Sequence, residues 1–161
     1  MCICYKCNSY DVTQTTELEK NKYQDVEYDV EIDYSLCNSC GREFLNKTQI
    51  IINEARTREA KKKIDELLSA DAIRDIRKKL NLTQTDAAII FGGGKNAFSK
   101  YERSEVTQSV AMDKLLRLAS EDISIFRRLW ISSGMKGEPN AISLVKKPNI
   151  IEPEKHDKLA M

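Results

Sequence analysis

The sequence predicts an α+β fold in two domains: a small, cysteine-held, β-rich N-terminal domain with a connecting helix, then an all-α domain of five short helices. Three observations predict it. Two Cys-x2-Cys pairs, Cys4/Cys7 and Cys37/Cys40, bracket a stretch in which Val26, Tyr28, Val30, Ile32 and Tyr34 alternate with Glu27, Asp29, Glu31 and Asp33. A period of two marks a half-buried strand, because successive side chains of extended backbone point to opposite faces. Beyond Lys47 the period becomes helical, and from Ser69 to Ile131 it is broken into short capped segments.

Taken in order, residues 1–68 form the first domain. Its hairpin or small sheet lies between the cysteine pairs, with one acidic strand face. From Lys47 to Leu68 a connecting helix carries Ile51, Ala55, Ile64, Leu67 and Leu68 among charged residues. Within it, Lys61-Lys62-Lys63 reads as a solvated face. Ser69-Ala70-Asp71 is a break and a new start. Residues 69–131 form the second domain, with helices predicted at about 71–80, 84–91, 95–103, 109–119 and 121–131. Ser69, Thr83, Ser109 and Ser120 stand near starts, where a side-chain oxygen can accept an orphan backbone N–H. Past Ser132, glycines and prolines without periodicity read as a C-terminal extension, residues 132–161, extended or disordered until something binds it.

Composition bounds the function. The 161 residues are 41% hydrophobic and 32% charged, and no window approaches the roughly 20 apolar residues of a membrane span. The N-terminus lacks a secretory signal, so a cytoplasmic location without membrane attachment is expected. Net charge is +1, unevenly spread. Residues 1–46 hold nine Asp/Glu against four Lys/Arg, whereas residues 47–131 hold seventeen basic against twelve acidic. Two different partners would suit that split, as would plain solvated surface. Catalysis is not expected: the sole histidine, His156, lies in the extension with no nucleophile-base arrangement around it.

The cysteine pairs carry the first chemistry. A two-residue spacer lets a tight turn aim both sulfurs at one ion, and two such turns complete a tetrahedral thiolate set. Asn8-Ser9 and Gly41, which follow the pairs, tolerate the backbone angles of such turns. Cys4, Cys7, Cys37 and Cys40 are therefore the expected ligands of Zn2+. Four thiolates leave no open coordination position, so the metal is structural. Rubredoxin-like iron sites use similar spacing, and spacing alone leaves zinc and iron open. Two disulfides suit a cytoplasmic chain less well, and a thioredoxin-like pair would need a βαβ context that is absent. Cys2 is a spare thiol or a substitute for Cys4. With an acidic face, 46 residues bury little apolar surface, and a bound metal supplies folding energy.

The segment from Leu82 to Arg103 carries the second chemistry. Small Ala87 and Ala88 allow close helix approach, Gly92-Gly93-Gly94 makes a sharp turn, and Phe98 and Tyr101 fall on the inner face of the next helix. Asn96, Ser99, Lys100 and Arg103 then fall largely on the outward face, as in a recognition helix facing a major groove, with Lys95 beside them. An exposed Asn can pair bidentately with adenine, and Lys can reach guanine or phosphate. Thr83 and Gln84 sit at a helix N-terminus, a natural phosphate site. Asn96 and Thr83 would also serve as plain caps.

These features together resemble the MqsA family of antitoxins, which join a YgiT-type zinc domain to an Xre-type helix-turn-helix. The likeness rests on Cys4, Cys7, Cys37 and Cys40, on Arg77-Lys78-Lys79-Leu80 through Leu82-Thr83-Gln84, and on the run from Phe91-Gly92-Gly93-Gly94 through Lys95-Asn96-Ala97-Phe98-Ser99-Lys100-Tyr101-Glu102. It covers about residues 1–131. The resemblance implies a homodimer through the C-terminal domain that binds double-stranded DNA at a palindromic operator in its own promoter. It further implies an N-terminal domain that neutralises a protein toxin. Asn96 and Lys100 match the family's base readers, although the family usually carries Arg at the second position. Lysine lacks the planar fork that pairs with guanine, so a different operator is expected. A toxin that is a basic ribonuclease would meet complementary charge in the acidic strands. Ile89 and Ile90 are more apolar than a surface helix needs, which points to one of them at an interface. A stand-alone Xre-type regulator with a structural zinc or redox-sensing module is the alternative.

Overall fold

The computed structural model describes residues 2–139. Strands β1 (Val12–Tyr23) and β2 (Val26–Cys37) form a long antiparallel hairpin in register from Val12↔Cys37 to Tyr23↔Val26. Its two loop residues, Gln24 and Asp25, both have positive φ, 48° and 65°. That backbone twist suits a two-residue hairpin. A short strand β3 (Glu43–Phe44) pairs with Ser35 and Leu36, giving the order β1-β2-β3.

The alternation in β2 holds in part. Val30 is buried, and Tyr28, Ile32 and Tyr34 are half-buried, as the period predicts. Ser35 and Cys37, on the opposite face, are nevertheless fully buried. Cys37 is enclosed among the other cysteines, and Ser35 is covered by helix α1 (Lys47–Ile64), which lies against β2. Its Asn53 amide bonds both the N–H and the C=O of Asp33, at 2.9 and 2.8 Å, as a neighbouring strand would. Ser35 donates to Gln49 at 3.0 Å, and Arg56 donates to the Asp33 carboxylate at 2.8 Å. Beyond β3, the open edge of β2 is thus covered by helix side chains. The acidic face is only partly free, since Asp33 is neutralised from within while Glu27 and Asp29 stay exposed.

Asn46 starts α1 with a reciprocal capping box to Gln49, two bonds of 3.0 Å. The helix ends at Ile64, short of the expected Leu68. Glu66 takes a left-handed φ of 56°, and the Leu67 N–H returns to the Lys62 carbonyl. The lysine run departs from its expected solvation. Lys62 is 1% exposed and paired with Glu59 at 2.8 Å, Lys61 lies over the Tyr23 ring at 5.3 Å, and of the three only Lys63 is exposed.

Helices α2 (Ala70–Lys79), α3 (Gln84–Phe91), α4 (Ala97–Glu102), α5 (Val110–Glu121) and α6 (Ile123–Ser132) follow. Ser69, Thr83 and Ser109 cap α2, α3 and α5 as expected. Ser120 does not cap α6. It lies inside α5, its hydroxyl donating to the Arg117 carbonyl, and Asp122 caps α6 instead. Ile73, Leu80, Leu82, Ala87, Ile90, Phe91, Phe98, Leu116, Ala119 and Phe126 form one core. At roughly 1.5–3 kcal/mol per large buried side chain, this core dominates the stability of the helical unit. Ile90 lies in it while Ile89 is 52% exposed. Past α6, Met135 packs on the core and the Trp130 indole donates to the Gly137 carbonyl, so the first residues of the anticipated extension turn back on the helix. The rest of that extension, with His156, lies outside the described residues. Among the described residues no helix is long and apolar enough to cross a membrane.

Candidate metal centre and nucleic-acid interface

The two cysteine turns are built alike. In the first, the Asn8 N–H returns to the Cys4 carbonyl at 2.8 Å with Asn8 at φ 57°. In the second, the Gly41 N–H returns to the Cys37 carbonyl at 2.8 Å with Gly41 at φ 68°. The residue after each pair therefore takes the left-handed conformation that Asn and Gly tolerate. The turns meet because Cys37 ends β2 opposite Val12 at the start of β1. Ser9 and Ser39 share a hydrogen bond of 2.7 Å across the junction, and Arg42 stacks on and bonds Tyr5.

All four sulfurs lie within 4.8 Å of one another, with Cys4–Cys40 at 3.7 Å and Cys7–Cys37 at 3.5 Å. Disulfide sulfurs would sit at about 2.05 Å. A tetrahedron with metal–sulfur bonds of about 2.3 Å has edges of about 3.8 Å, so the cluster fits a tetrahedral thiophilic cation. Two of the cysteines differ in acidity. The Cys7 backbone N–H is the chief cause that brings Cys4 down to about 6, against burial and with help from the Lys6 N–H. At Cys7 the Ser9 amide favours the thiolate, but the adjacent Cys37 thiol and burial outweigh it and carry the group to about 12. Several thiolates in so small a space need a cation between them. Cys2 stands outside this cluster and is half-buried.

The second site is built by the turn between α3 and α4. Gly92, Gly93 and Gly94 have φ values of 85°, 94° and 88°. A Cβ on Gly93 would lie 2.9 Å from the Ala97 Cβ, so glycine is required for close approach as well as for φ. Helix α4 begins at Ala97, two residues later than expected, because Ala97 bonds back to the Gly94 carbonyl. Asn96 therefore stands at the helix N-terminus. It is exposed, and its side chain makes no capping bond. Lys95 and Lys100 are also exposed. They line a hollow of about 340 Å³ with Gly93, Gly94, Asn96 and Tyr101. Ser99 is half-buried, its hydroxyl donating to the Asn96 carbonyl at 3.0 Å, and Arg103 is exposed but paired with Glu105 at 2.7 Å.

Thr83 and Gln84 are engaged internally. Thr83 and Asp86 form a capping box, and the Asp86 carboxylate already occupies the start of α3. Gln84 donates to Glu102 at 2.9 Å. Glu102, 4% exposed, also receives Arg77 at 2.5 and 2.9 Å. Burial opposes its ionisation, but Arg77, Gln84 and Arg74 hold the carboxyl below its ordinary range. This buried hub ties α2, α3 and α4 together. Sequence reasoning missed it, since residues 25 apart leave no periodic signal.

Comparison with known proteins agrees with this arrangement. Residues 2–127 match the family described as the antitoxin component of a bacterial toxin-antitoxin system, MqsA. Antitoxin MqsA of Escherichia coli (strain K12) is 36% identical over 83 residues, a match covering 51% of this chain and 63% of that protein. The chain thus spans somewhat less than two thirds of that relative. With the family match running across both the cysteine cluster and the helices around the triple-glycine turn, the chain belongs to the MqsA family of antitoxin components.

Proposed function

We propose that the chain neutralises a cognate protein toxin through residues 1–68 and, as a homodimer through residues 69–131, represses its own operon by binding a palindromic operator. The observation that carries the DNA reading is the start of α4: Asn96 exposed with its amide unspent, between exposed Lys95 and Lys100. Such a terminus can enter a major groove, where Asn pairs with adenine and Lys with guanine or phosphate. Ser99 on α4 and Arg103 at its C-cap supply further polar contacts, and Thr83 and Gln84 reach a phosphate from the start of α3 only by releasing Asp86 and Glu102.

For the metal, we assign Zn2+ to Cys4, Cys7, Cys37 and Cys40. When bound to four thiolates, zinc supplies folding energy and no reaction chemistry. The toxin contact is supported by β1, which among the described residues pairs only with β2 and leaves an outer edge bearing exposed Glu17, Leu18 and Glu19. An open edge with acidic side chains suits strand addition by a basic partner.

Binding of the purified chain to the duplex upstream of its own coding region tests the DNA reading. Asn96→Ala is expected to lower affinity for that duplex by about 1–3 kcal/mol and to leave random duplex nearly unaffected. Equal loss on both duplexes would show that Asn96 reads no base. Co-purification with the product of the adjacent gene, lost when Glu17 and Glu19 on the outer edge of β1 are both replaced by Lys in a full chain that still binds DNA, tests the toxin reading.

A further inference from the structure

Helix α4 is only six residues long, and its two ends are set differently. The glycine turn fixes its start. Its end runs into Ser104, a buried non-glycine residue with a left-handed φ of 53°. Such a conformation is unfavourable unless its surroundings impose it. Here the surroundings come from α1. The Ser104 hydroxyl donates to the Glu59 carboxylate at 2.5 Å, and the Ser104 carbonyl accepts from the Arg58 guanidinium. Glu59 is itself fixed, receiving Lys62 at 2.8 Å and the Ala70 N–H at 3.1 Å.

Helix geometry separates the two jobs of α1. At about 100° per residue, Gln49, Asn53 and Arg56 fall within roughly 60° of one another and bond β2. Arg58 and Lys62 lie on the opposite side of α1, and Glu59, about 60° round from Arg56, lies between the two faces; Arg58 and Glu59 reach the helical unit. None of Arg58, Glu59 and Ser104 belongs to the hydrophobic core. The bonds therefore act on the end of α4 without filling the centre of the domain.

We propose that Arg58 and Glu59 are positioning residues for DNA recognition: by gripping Ser104 they fix the angle at which α4 presents Asn96 and Lys100. This rests on the DNA-binding reading above. Its consequence is that the sheet and the recognition helix share one strut, so a displacement of α1 on β2 reaches the DNA-reading residues.

The test uses the full zinc-loaded chain and two duplexes, its own upstream sequence and a random one. Wild-type binding comes first: no preference for the upstream duplex would sink the DNA reading and this proposal with it. Given that preference, Ser104→Gly removes the hydroxyl yet accepts the positive φ, so it relieves strain while breaking the grip. Arg58→Ala breaks the other bond, and Arg58→Lys retains a donor. Ser104→Gly and Arg58→Ala are each expected to weaken upstream-duplex binding roughly fivefold to tenfold. Random-duplex binding should stay within about twofold and the thermal midpoint of Ser104→Gly near wild type. Arg58→Lys should recover part of the loss. Amide hydrogen exchange should quicken at Lys100 through Glu105 in both weakened variants, and the double variant should lose little more than the weaker-binding single one, because the two bonds hold one turn together and loss of either frees it. Wild-type affinity in both single variants, or losses that simply add, would overturn the proposal.

Discussion

Gly93 and Lys62 show how a single residue's surroundings decide its worth. A methyl group on Gly93 meets the Ala97 Cβ at 2.9 Å at φ +94°, whereas one on Gly94 meets nothing within 4 Å at φ +88°. Both substitutions carry the left-handed penalty, about 1–3 kcal/mol, and only Gly93→Ala adds a clash. Denaturant unfolding should find Gly93→Ala the more damaging, and equal losses would show that close approach at Ala97 is unimportant. Lys62 makes a similar contrast with its neighbour. Replacing the buried Lys62 by Met leaves the Glu59 carboxylate without its cation, an expected loss of about 3 kcal/mol. Lys63→Met, on an exposed residue, should stay within about 0.5 kcal/mol. In sequence the two lysines look alike. Lys62 faces Glu59, which also receives the Ala70 N–H and the Ser104 hydroxyl, a long-range arrangement that no local pattern encodes.

At the scale of elements, the helix starts were legible because capping is local: Ser69, Thr83 and Ser109 each bond an amide three residues on. The cysteine turns were legible for the same reason. Long-range polar links were not, and the Glu102 hub is the main one. Its carboxyl sits below its ordinary range because Arg77, Gln84 and Arg74 outweigh the effect of burial. For an acid whose folded pKa is depressed, the stabilisation is fully present above the unfolded value, about 4.3, and is lost as pH falls through the folded value. The helical unit should therefore lose stability on acidification below about pH 4 to 5. Glu102→Gln should remove part of that acid dependence while lowering stability at pH 7 by about 3 kcal/mol, since Arg77 is left without its carboxylate. Unfolding free energies measured from pH 7 to pH 3 check both. An unchanged slope in the variant would mean that other carboxylates, such as Asp113 beside Arg117, carry the effect.

For the whole molecule, the question is how far the metal site and the helices stand or fall together. The helical core runs from Ile73 to Phe126 and contains no residue of the sheet. The N-terminal unit, in turn, has Cys4, Val30 and Cys37 as its buried apolar residues among those described. The two units meet through Leu68, which packs on the helical core, and through polar links: Glu59 to Ser104 and Ala70, Leu68 to Asp113 and Gln108, and Arg117 to the Glu66 carbonyl. A chelator that removes the proposed zinc should thus unfold the sheet without unfolding α2 to α6. Cys4 and Cys37, 0% exposed in the fold, should then react with a thiol reagent as fast as Cys7 and Cys40. Far-UV circular dichroism should retain a cooperative helical transition in the stripped protein, shifted downward because α1 has lost the strand that braced Gln49, Asn53 and Arg56. Loss of all helical signal on chelation would instead mean that the polar links at Glu59 and Asp113 carry more of the helical unit's stability than its core.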